Sequence, residues 1–515
     1  MLLEQIKRGE TVLEARGITK RFPGVLANDN IDFVIKAGEI HAILGENGAG
    51  KSTLMKILFG QYKPDEGEIF LGGEPVKFKS PLDAIDRGIG MVHQHRKLIP
   101  AHTVLENIIL GHPGAGKILD VKRTSAEIND LCDEFGFSID LKAKVWHLSE
   151  GEKQIVEILK SLYRGAELLI MDEPTAGLTP LETEKLLTSI EAMSRDGLAI
   201  VPFITHKLPI VLRISDQITV LRHGKVVSSV ATEYASEKSL ATELVGREII
   251  FNIERKKAEI GETVLEVENL SALSDKGVRA LNGASFSIRQ GEIFGVAGVS
   301  GNGQRELVEC LAGLRDSEEG RVTLGGNDVT SASSYQRWQQ GMGYIPADRN
   351  HVGSIADFSL VENMTMNYYF DGNYTHRGNL DYKKLRGLTE DMITEYGVAT
   401  PGPDVLAKNL SGGNLQKLIL ARVLSRNPRL VIAAIPTQGL DIGAIEFVRN
   451  KLNEAKFNNA AVLLISEDLD EIFSLSDWIA PIYEGRFMGI ISADEAKREN
   501  VGAMMAGITL KEDAQ

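Results

Sequence analysis

The chain has few cysteines, few aromatic side chains and fewer basic than acidic residues. Its only cysteines are Cys132 and Cys310, so disulfide bonds cannot be the framework of the fold, and a reducing compartment is expected. Lysine and arginine number 57 against 71 aspartates and glutamates, which gives a net charge of −14. Because affinity for nucleic acid comes mainly from basic side chains on phosphates, this balance argues against nucleic acid as a partner.

Long apolar segments are missing as well. No apolar run approaches the roughly 20 residues of a membrane-spanning helix. The segment 1–17 lacks the apolar core of a secretory signal. The longest apolar runs, such as 168–171 and 460–465, are typical of buried parallel strands. If the protein acts at a membrane, we therefore expect another chain to cross it.

The chain is built from two copies of one unit. At 515 residues it is too long for a single hydrophobic core. Short segments return in the same order in both halves: TVLE at 11–14 and 263–266, GEI at 38–40 and 291–293, LS at 148–149 and 410–411, and PT-x-GL at 174–178 and 436–440. We predict a first domain at 1–250, a short charged linker at 251–262 and a second domain at 263–515.

Each half alternates strand-like and helix-like segments, which predicts an α/β fold with a parallel sheet covered by helices. The stretch 103–164 differs, because apolar residues such as Ile128, Leu131 and Phe135 are spaced for one face of a helix. We predict a helical lobe inserted at 103–164, with a counterpart at 360–422.

The segment GENGAGKST fits the pattern of a phosphate-binding loop, G-x-x-x-x-G-K-[ST]. An apolar strand at 39–44 precedes it, and a helix is predicted at 53–60, so a phosphate would lie at a helix N-terminus. Lys51 would contact the β- and γ-phosphates, and Ser52 would bind Mg²⁺. An ordinary glycine-rich turn is the alternative. The predicted nucleotide-binding residues of this loop are Gly45, Glu46, Asn47, Gly48, Ala49, Gly50, Lys51, Ser52 and Thr53.

Two carboxylates end another apolar strand, LLIMDE at 168–173. Ligands of open α/β sheets bind beyond the carboxyl ends of strands. We therefore expect Asp172 to hold Mg²⁺ through water and Glu173 to orient or deprotonate the attacking water. The alternative is a solvated acidic pair at a strand end.

Three further residues are candidates because of their place along the chain. Gln94 follows a probable strand and offers an amide to metal and water, whereas its histidine neighbours, His93 and His95, are expected to be polar loop residues. His206 follows an apolar run at 200–205 and would contact the γ-phosphate. Phe22 is the nearest upstream aromatic residue that could stack on adenine, with a place in the core as the alternative.

In this order, the phosphate loop, Gln94, LSEGE at 148–152, LLIMDEP at 168–174 and His206 resemble an ATP-binding cassette (ABC) ATPase. The resemblance extends over nearly the whole chain, because each half resembles one cassette. It implies two tandem P-loop domains, each a RecA-like α/β core with an antiparallel β lobe and an inserted helical lobe. It also implies ATP and Mg²⁺ as cofactors, and sites formed between two cassettes packed head to tail. In such a site the loop of one cassette faces the signature, usually LSGGQ, of the other.

The second half departs from this pattern at the catalytic positions. Gln304 and Arg305 replace Lys51 and Ser52, Ala434 and Ile435 replace the two carboxylates, and Glu467 stands in place of His206. No aromatic residue occupies the counterpart of Phe22, around 274–275. The signature of the second half is nearly intact, however, with LSGGN at 410–414 against LSEGE in the first half. Its predicted nucleotide-binding residues are Ser411, which opens a helix, and Gly412 and Gly413, which allow close approach of a phosphate.

Pairing the halves crosswise gives one complete site and one degenerate site. The first half's catalytic residues would face the signature at Ser411. The substituted loop would face LSEGE, where carboxylates repel a triphosphate; like charges about 4 Å apart cost about 4 kcal/mol at an effective dielectric near 20. We predict hydrolysis at the first site only, with the second binding nucleotide weakly or holding it without hydrolysis.

The resemblance is sharper in several segments. GVAGVSGNGQREL at 295–307, YIPADR at 344–349 and AAIPTQGLDIGAIEF at 433–447 resemble the fused ATPases of simple-sugar importers, and most of all their nucleoside or basic-membrane-protein branch. The resemblance implies two membrane permease subunits and an extracytoplasmic substrate-binding protein as partners, and a peripheral position on the cytoplasmic face of the cell membrane. The substrate could instead be a monosaccharide such as ribose or galactose. A soluble tandem-cassette ATPase or a nucleotide-gated scaffold is a further alternative.

Overall fold

The computed structural model describes residues 6–23, 25–46, 48–93, 97–112, 120–175, 178, 180–203, 208–246, 258–376 and 378–508. The chain divides into two compact units, Met1–Ile249 and Ile250–Gln515. The predicted linker at 251–262 is described only from residue 258 onward, so it stays a prediction. No helix in these described ranges combines the length and hydropathy needed to span a bilayer.

The first unit contains a mixed sheet, an antiparallel sheet and helices on either side. Its strands are β1 (Thr11–Phe22), β2 (Val25–Lys36), β3 (His41–Leu44), β4 (Glu66–Leu71), β5 (Glu74–Val76), β6 (Ile89–Val92), β7 (Leu168–Asp172), β8 (Ala199–Phe203), β9 (Gln217–Arg222) and β10 (Lys225–Ala231). Its helices are α1 (Lys51–Leu58), α2 (Pro81–Ile85), α3 (Val104–Ile109), α4 (Val121–Phe135), α5 (Glu150–Tyr163), α6 (Pro180–Arg195), α7 (Leu208–Ile214) and α8 (Glu237–Val245).

The strand order of the larger sheet is β10-β9-β3-β8-β7-β6, and all neighbours are parallel except β9 and β10. Strands β3 and β6 are buried along their whole length, because helices cover both faces of the sheet. The smaller sheet, with order β2-β1-β4-β5, is antiparallel. Both the parallel sheet and the antiparallel β lobe were expected.

The helical lobe of the first unit lies in the predicted stretch. Helices α3, α4 and α5 pack around one cluster, in which Ile128 and Phe135 are buried and Leu131 is partly buried. The predicted helical face of α4 is thus confirmed. Helix α5 begins with a capping box, in which the Ser149 side chain accepts from the backbone N–H of Glu152 and the Glu152 carboxylate accepts from that of Ser149.

The second unit repeats this topology. Its strands are β11 (Thr263–Leu273), β12 (Arg279–Arg289), β13 (Ile293–Ala297), β14 (Glu319–Leu324), β15 (Asn327–Asp328), β16 (Met342–Ile345), β17 (Thr375–His376), β18 (Asn379–Leu380), β19 (Leu430–Ala434), β20 (Ala461–Ser466), β21 (Trp478–Tyr483), β22 (Arg486–Phe487) and β23 (Ile491–Ser492). Its helices are α9 (Gln304–Ala312), α10 (Ser334–Gln339), α11 (Leu360–Thr365), α12 (Tyr382–Glu395), α13 (Gly412–Leu424), α14 (Ile442–Phe457), α15 (Leu469–Leu475) and α16 (Arg498–Met505).

The large sheet of the second unit has seven strands. Six of them have the order β16-β19-β20-β13-β21-β22, which matches the six-stranded sheet of the first unit, and β23 also pairs with β21. Two predictions need correction at the level of elements. The helix after the first phosphate loop begins at Lys51 and not at Thr53, because Gly50 takes the N-cap position. The helical lobe of the second unit also includes a hairpin, β17-β18, which the sequence pattern did not predict.

Candidate nucleotide site

The first phosphate loop connects β3 to α1 and depends on glycines in left-handed conformations. Gly48 and Gly50 have φ values of 86° and 100°. A Cβ on Gly50 would lie 2.3 Å from the carbonyl oxygen of Ala27, so a larger residue does not fit without a shift of the backbone. The Asn28 side chain donates to the Gly50 carbonyl at 3.1 Å and ties the loop to β2. The loop is therefore held in shape before any ligand arrives.

Lys51 lies inside this loop. Its side chain is buried, and its Nζ donates to the carbonyl oxygens of Gly45 at 2.5 Å and Glu46 at 2.9 Å. The N-cap residue of helix α1 is Gly50, which has no side chain to accept from the first backbone N–H groups of the helix. Ser52 is exposed one residue farther along. A cation, uncapped amides and an exposed hydroxyl together fit a magnesium-bound triphosphate.

Asp172 and Glu173 stand at the carboxyl end of β7. The pKa of Asp172 is raised to about 7, mainly by burial and also by the neighbouring Glu173 carboxylate, while the Lys51 and Lys56 ammonium groups oppose the rise. A metal ion held there has to displace a proton from Asp172 when the solution is below that pH. This site at the end of β7 is where the sequence predicted metal and water chemistry.

The backbone at Glu173 is strained. Its φ is 46°, and Ile435 at the corresponding position of the second unit has a φ of 44°. A β-branched residue is rarely found in that region. The second unit therefore has the same backbone turn as the first, but Ile435 has no carboxylate where Glu173 has one.

Phe22 ends β1 with 37% of its surface exposed. Its ring packs edge-on against Tyr62, with centroids 5.6 Å apart, and the Lys20 ammonium lies 5.7 Å from its centroid. The alternative of a core position does not hold. Stacking on adenine remains a prediction, and Tyr62 is a second aromatic neighbour that the sequence reasoning missed.

Three predicted residues, Asn47, Gln94 and His206, lie outside the described residues. Their roles stay predictions. Strand β16 nevertheless shows a loss that the sequence analysis missed. Val92 and Ile345 occupy the same register position against β7 and β19, so Ala347 is the counterpart of Gln94. The second unit therefore lacks an amide there too.

The second phosphate loop is filled by its own side chains. The Gln304 amide donates to the Val299 carbonyl at 2.9 Å and accepts from the Asn302 backbone N–H at 3.0 Å. Ser300 donates to the Glu467 carboxylate at 2.5 Å. A neutral amide thus replaces the lysine inside the loop, and a carboxylate hydrogen-bonds to the loop. Both changes disfavour an anionic ligand.

An ion cluster occupies the region that corresponds to the aromatic position. Arg305 pairs with Asp275 at 3.1 Å and with Glu309 at 2.6 Å. Arg315 pairs with the same two carboxylates, at 2.5 and 2.7 Å. Asp275 stands near the counterpart of Phe22, so charged groups replace a stacking surface.

The signature of the second unit keeps the expected geometry. Ser411 caps α13, and its exposed hydroxyl accepts from the Asn414 backbone N–H at 3.4 Å and from its side-chain amide at 2.9 Å. Gly413 packs closely, since a Cβ there would lie 3.1 Å from that of Ala444. Gly412 begins the helix beside them. The predicted helix start at Ser411 is confirmed.

The signature of the first unit is surrounded by carboxylates. The Ser149 hydroxyl donates to Glu182 at 3.0 Å, and Glu152 accepts from the backbone of Ser149 at 2.8 Å. Glu150 lies in the same helical turn. Glu182 was not a candidate from the sequence, because it comes from α6, which is distant along the chain. These carboxylates offset the positive end of the α5 helix dipole, which would otherwise attract a phosphate.

Comparison with known proteins identifies the family. The sequence matches "ABC transporter" over residues 28–176 and 281–438, which include both phosphate loops and both signatures. The chain belongs to the ABC transporter family. As such it is an ATPase with ATP and Mg²⁺ as cofactors, and each of its units is an ABC cassette.

Several curated relatives align with this ABC protein over nearly their whole length. It is 45% identical to the glucose import ATP-binding protein TsgD13 of Haloferax volcanii, over 97% of this chain and 96% of that protein. It is also 45% identical to the guanosine import ATP-binding protein NupO of Bacillus subtilis, over 98% and 99%. A solved structure named RNase-L Inhibitor covers 96% of the chain with a TM-score of 0.63 at 21% identity, which shows a likeness of fold alone.

Proposed function

We propose that this ABC ATPase is the energy-coupling subunit of a bacterial importer for nucleosides or simple sugars. The full-length similarity to the guanosine import protein carries the proposal. A nucleoside import ATP-binding protein of Lactococcus lactis, 42% identical over 98% of the chain, supports the same substrate class.

A monosaccharide remains the second candidate substrate. The glucose import relative favours a sugar, and a putative ribose/galactose/methyl galactoside import protein of Rhizobium meliloti is 36% identical over 97% of the chain. A soluble tandem-cassette ATPase is disfavoured, because curated relatives that align over nearly the whole chain are named as import proteins.

One competent site and one degenerate site are part of the proposal. In the competent site, the first cassette supplies Lys51, Ser52, Asp172 and Glu173, and the second supplies its signature at Ser411. The amide that fills the second loop and the carboxylates around Ser149 support the assignment of the other site as degenerate. Gln94 and His206 complete the competent set by sequence.

In the competent site each residue has a distinct task. Lys51 neutralises phosphate charge from inside its loop, and the first amides of α1 donate to phosphate oxygens. When bound, Mg²⁺ neutralises further phosphate charge, and Ser52 and Asp172 are the residues that would bind it. Glu173 orients the attacking water and accepts its proton. The Ser411 hydroxyl and the N-terminus of α13 donate to the γ-phosphate.

Two membrane permease subunits are the proposed partners, with a substrate-binding protein acting from outside the cell. This places the chain on the cytoplasmic face of the membrane as a peripheral protein. Each unit carries a groove beside its helical lobe that could receive a permease helix. The first, of about 200 Å³, is lined by Ile85, His93, Lys160 and Arg164, and the second, of about 730 Å³, by Tyr335, Trp338, Phe370 and Arg426.

ATP-driven uptake in vesicles tests the proposal. The chain is reconstituted with its permease and loaded binding protein, and uptake of labelled guanosine, ribose, galactose and glucose is measured. We expect uptake of the nucleoside, and we expect Glu173→Gln to lower both uptake and ATP hydrolysis by at least about 100-fold, since the catalytic base is lost. Glu74→Gln, an exposed carboxylate of the same unit, is the control.

The outcomes separate the parts of the proposal. Uptake of a sugar in place of guanosine would assign the alternative substrate and keep the importer function. ATP hydrolysis that survives Glu173→Gln would refute the assigned catalytic site. Hydrolysis that needs Glu173 but drives no uptake of any of these solutes would favour a different ABC function.

A further inference from the structure

Arg349 connects two loops that border the intact signature. It follows β16, and one arm of its guanidinium donates to the Gly412 carbonyl at 3.4 Å. The other arm donates to the Gln438 carbonyl, in the loop that follows β19. One side chain thus links the first turn of α13 to the loop at 436–440.

The contact is unusual in its electrostatics. Among the described residues no carboxylate pairs with the Arg349 guanidinium; the adjacent Asp348 pairs with His351 at 2.9 Å instead. Burial lowers the pKa of Arg349 from its ordinary value. A cation near a helix N-terminus is also opposed by the helix dipole. Within the described part of the chain, Arg349 is therefore held by two carbonyl oxygens and not by an ion pair, and an anion bound at the signature would face its positive charge.

The surroundings fix Arg349 in place. The Ser354 hydroxyl donates to its carbonyl oxygen at 2.8 Å. A Cβ on Gly353 would lie 2.9 Å from the Arg349 Cα, so only glycine lets the two backbones approach this closely. Because the backbone of Arg349 is already fixed, its side chain loses little further conformational entropy when it forms these hydrogen bonds.

We infer that Arg349 is a positioning residue of the competent ATP site, whose forked guanidinium holds the signature of the second cassette against the loop at 436–440. The inference rests on the proposed function, because the signature at Ser411 serves the competent site only in that assignment. By fixing the Gly412 carbonyl, Arg349 keeps the Ser411 hydroxyl and the amides of Gly412 and Gly413 aligned for a phosphate. Its charge lies behind that surface and contributes to the attraction.

The test is ATP hydrolysis by the full-length chain. We expect Arg349→Ala to lower kcat about 10- to 100-fold, as for loss of charged hydrogen bonds that act in the transition state. KM for ATP should change by less than about threefold, because first binding depends on the loop at Lys51. We expect Arg349→Lys to remain about tenfold below the original kcat, since one ammonium cannot serve both carbonyls. Arg321→Ala, which removes an exposed arginine of β14, is the matched control.

Thermal unfolding of Arg349→Ala and ATP hydrolysis by Ser411→Ala separate a positioning role from a purely structural one. A purely structural role would lower the midpoint of unfolding without separating kcat from KM. If Ser411→Ala lowers kcat while Arg349→Ala leaves it unchanged, the inference fails and the proposed site stands. If neither variant changes kcat, the composite site fails and the inference falls with it. Should Arg349→Ala not fold, a full kcat in Arg349→Lys would overturn the inference.

Discussion

Among the described residues of the second cassette, Glu471 is the most deeply buried carboxylate. It lies on α15 and accepts from the Ser466 hydroxyl at 2.7 Å. Its pKa is raised to about 7, mainly by burial and also by the nearby Asp468, while Arg449 and the hydrogen bonds from Ser466 and Thr437 oppose the rise. Between about pH 4.5 and pH 7 the folded state therefore holds a proton that the unfolded state has released.

The sign of the pH effect follows from linkage. A carboxyl group whose pKa is raised on folding favours the folded state at low pH, and this advantage is lost as the pH rises from about 4.5 to about 7. We predict that the free energy of unfolding of Glu471→Gln, relative to that of the parent chain, increases by at least about 1 kcal/mol when the pH rises from 5 to 8. Urea unfolding at several pH values measures the difference.

The variant Glu499→Gln, which changes an exposed carboxylate of the same cassette, is the control for this measurement. If the free energies of unfolding of Glu471→Gln and the parent differ by the same amount at pH 5 and at pH 8, the raised pKa of Glu471 is contradicted.

The two phosphate loops are equivalent elements with different contents. Gly50 and Gly303 both cap the following helix with φ near 100°, at 100° and 95°. A Cβ on either would lie 2.3 Å from a strand carbonyl, that of Ala27 or of Ala280. The loop shape is thus the same, and the side chains decide what each loop holds.

This equivalence gives a matched pair of substitutions. Gly50→Ala and Gly303→Ala should both destabilise their own cassette, by about 1–2 kcal/mol from the left-handed conformation alone and more from the close contact. We expect ATP hydrolysis to be lost only in Gly50→Ala. The activity of folded protein, assayed at a temperature where both variants are native, measures the contrast.

Equal losses of activity in the two variants would show that the second loop also serves hydrolysis. Unchanged activity in Gly50→Ala would show that the first loop does not.

The whole molecule is a tandem of two cassettes with one shared topology and with different side chains in their phosphate loops. We predict that one Mg·ADP binds per chain with high affinity, because the second loop carries Gln304 in place of the lysine and is hydrogen-bonded to the Glu467 carboxylate, which repels phosphate. Equilibrium dialysis gives the stoichiometry, and hydrogen exchange on the full chain gives the location. We expect protection at 45–53 and none at 298–306.

Two nucleotides per chain of equal affinity, with protection of both loops, would refute this asymmetry. A Lys51→Ala chain provides the control, because it should lose the protection at 45–53 as well.

The sequence by itself determined the two-unit organisation, the alternation of strands and helices and the residues of the first phosphate loop. These features are local: a loop such as 45–53 is recognised from its own glycines, lysine and hydroxyl, and a repeat is recognised from order along the chain. The losses at Gln304, Arg305 and Glu467 were visible for the same reason, since each stands at a fixed distance from a repeated segment.

Only the tertiary structure decided which groups meet across the chain. Glu182 of α6 contacts Ser149, Glu467 after β20 contacts Ser300, and Arg349 bridges Gly412 and Gln438. Each pair is far apart in sequence and is brought together by strand order and helix packing. Hydrogen bonds act over about 3 Å whatever the separation along the chain, so residue spacing could not foresee them.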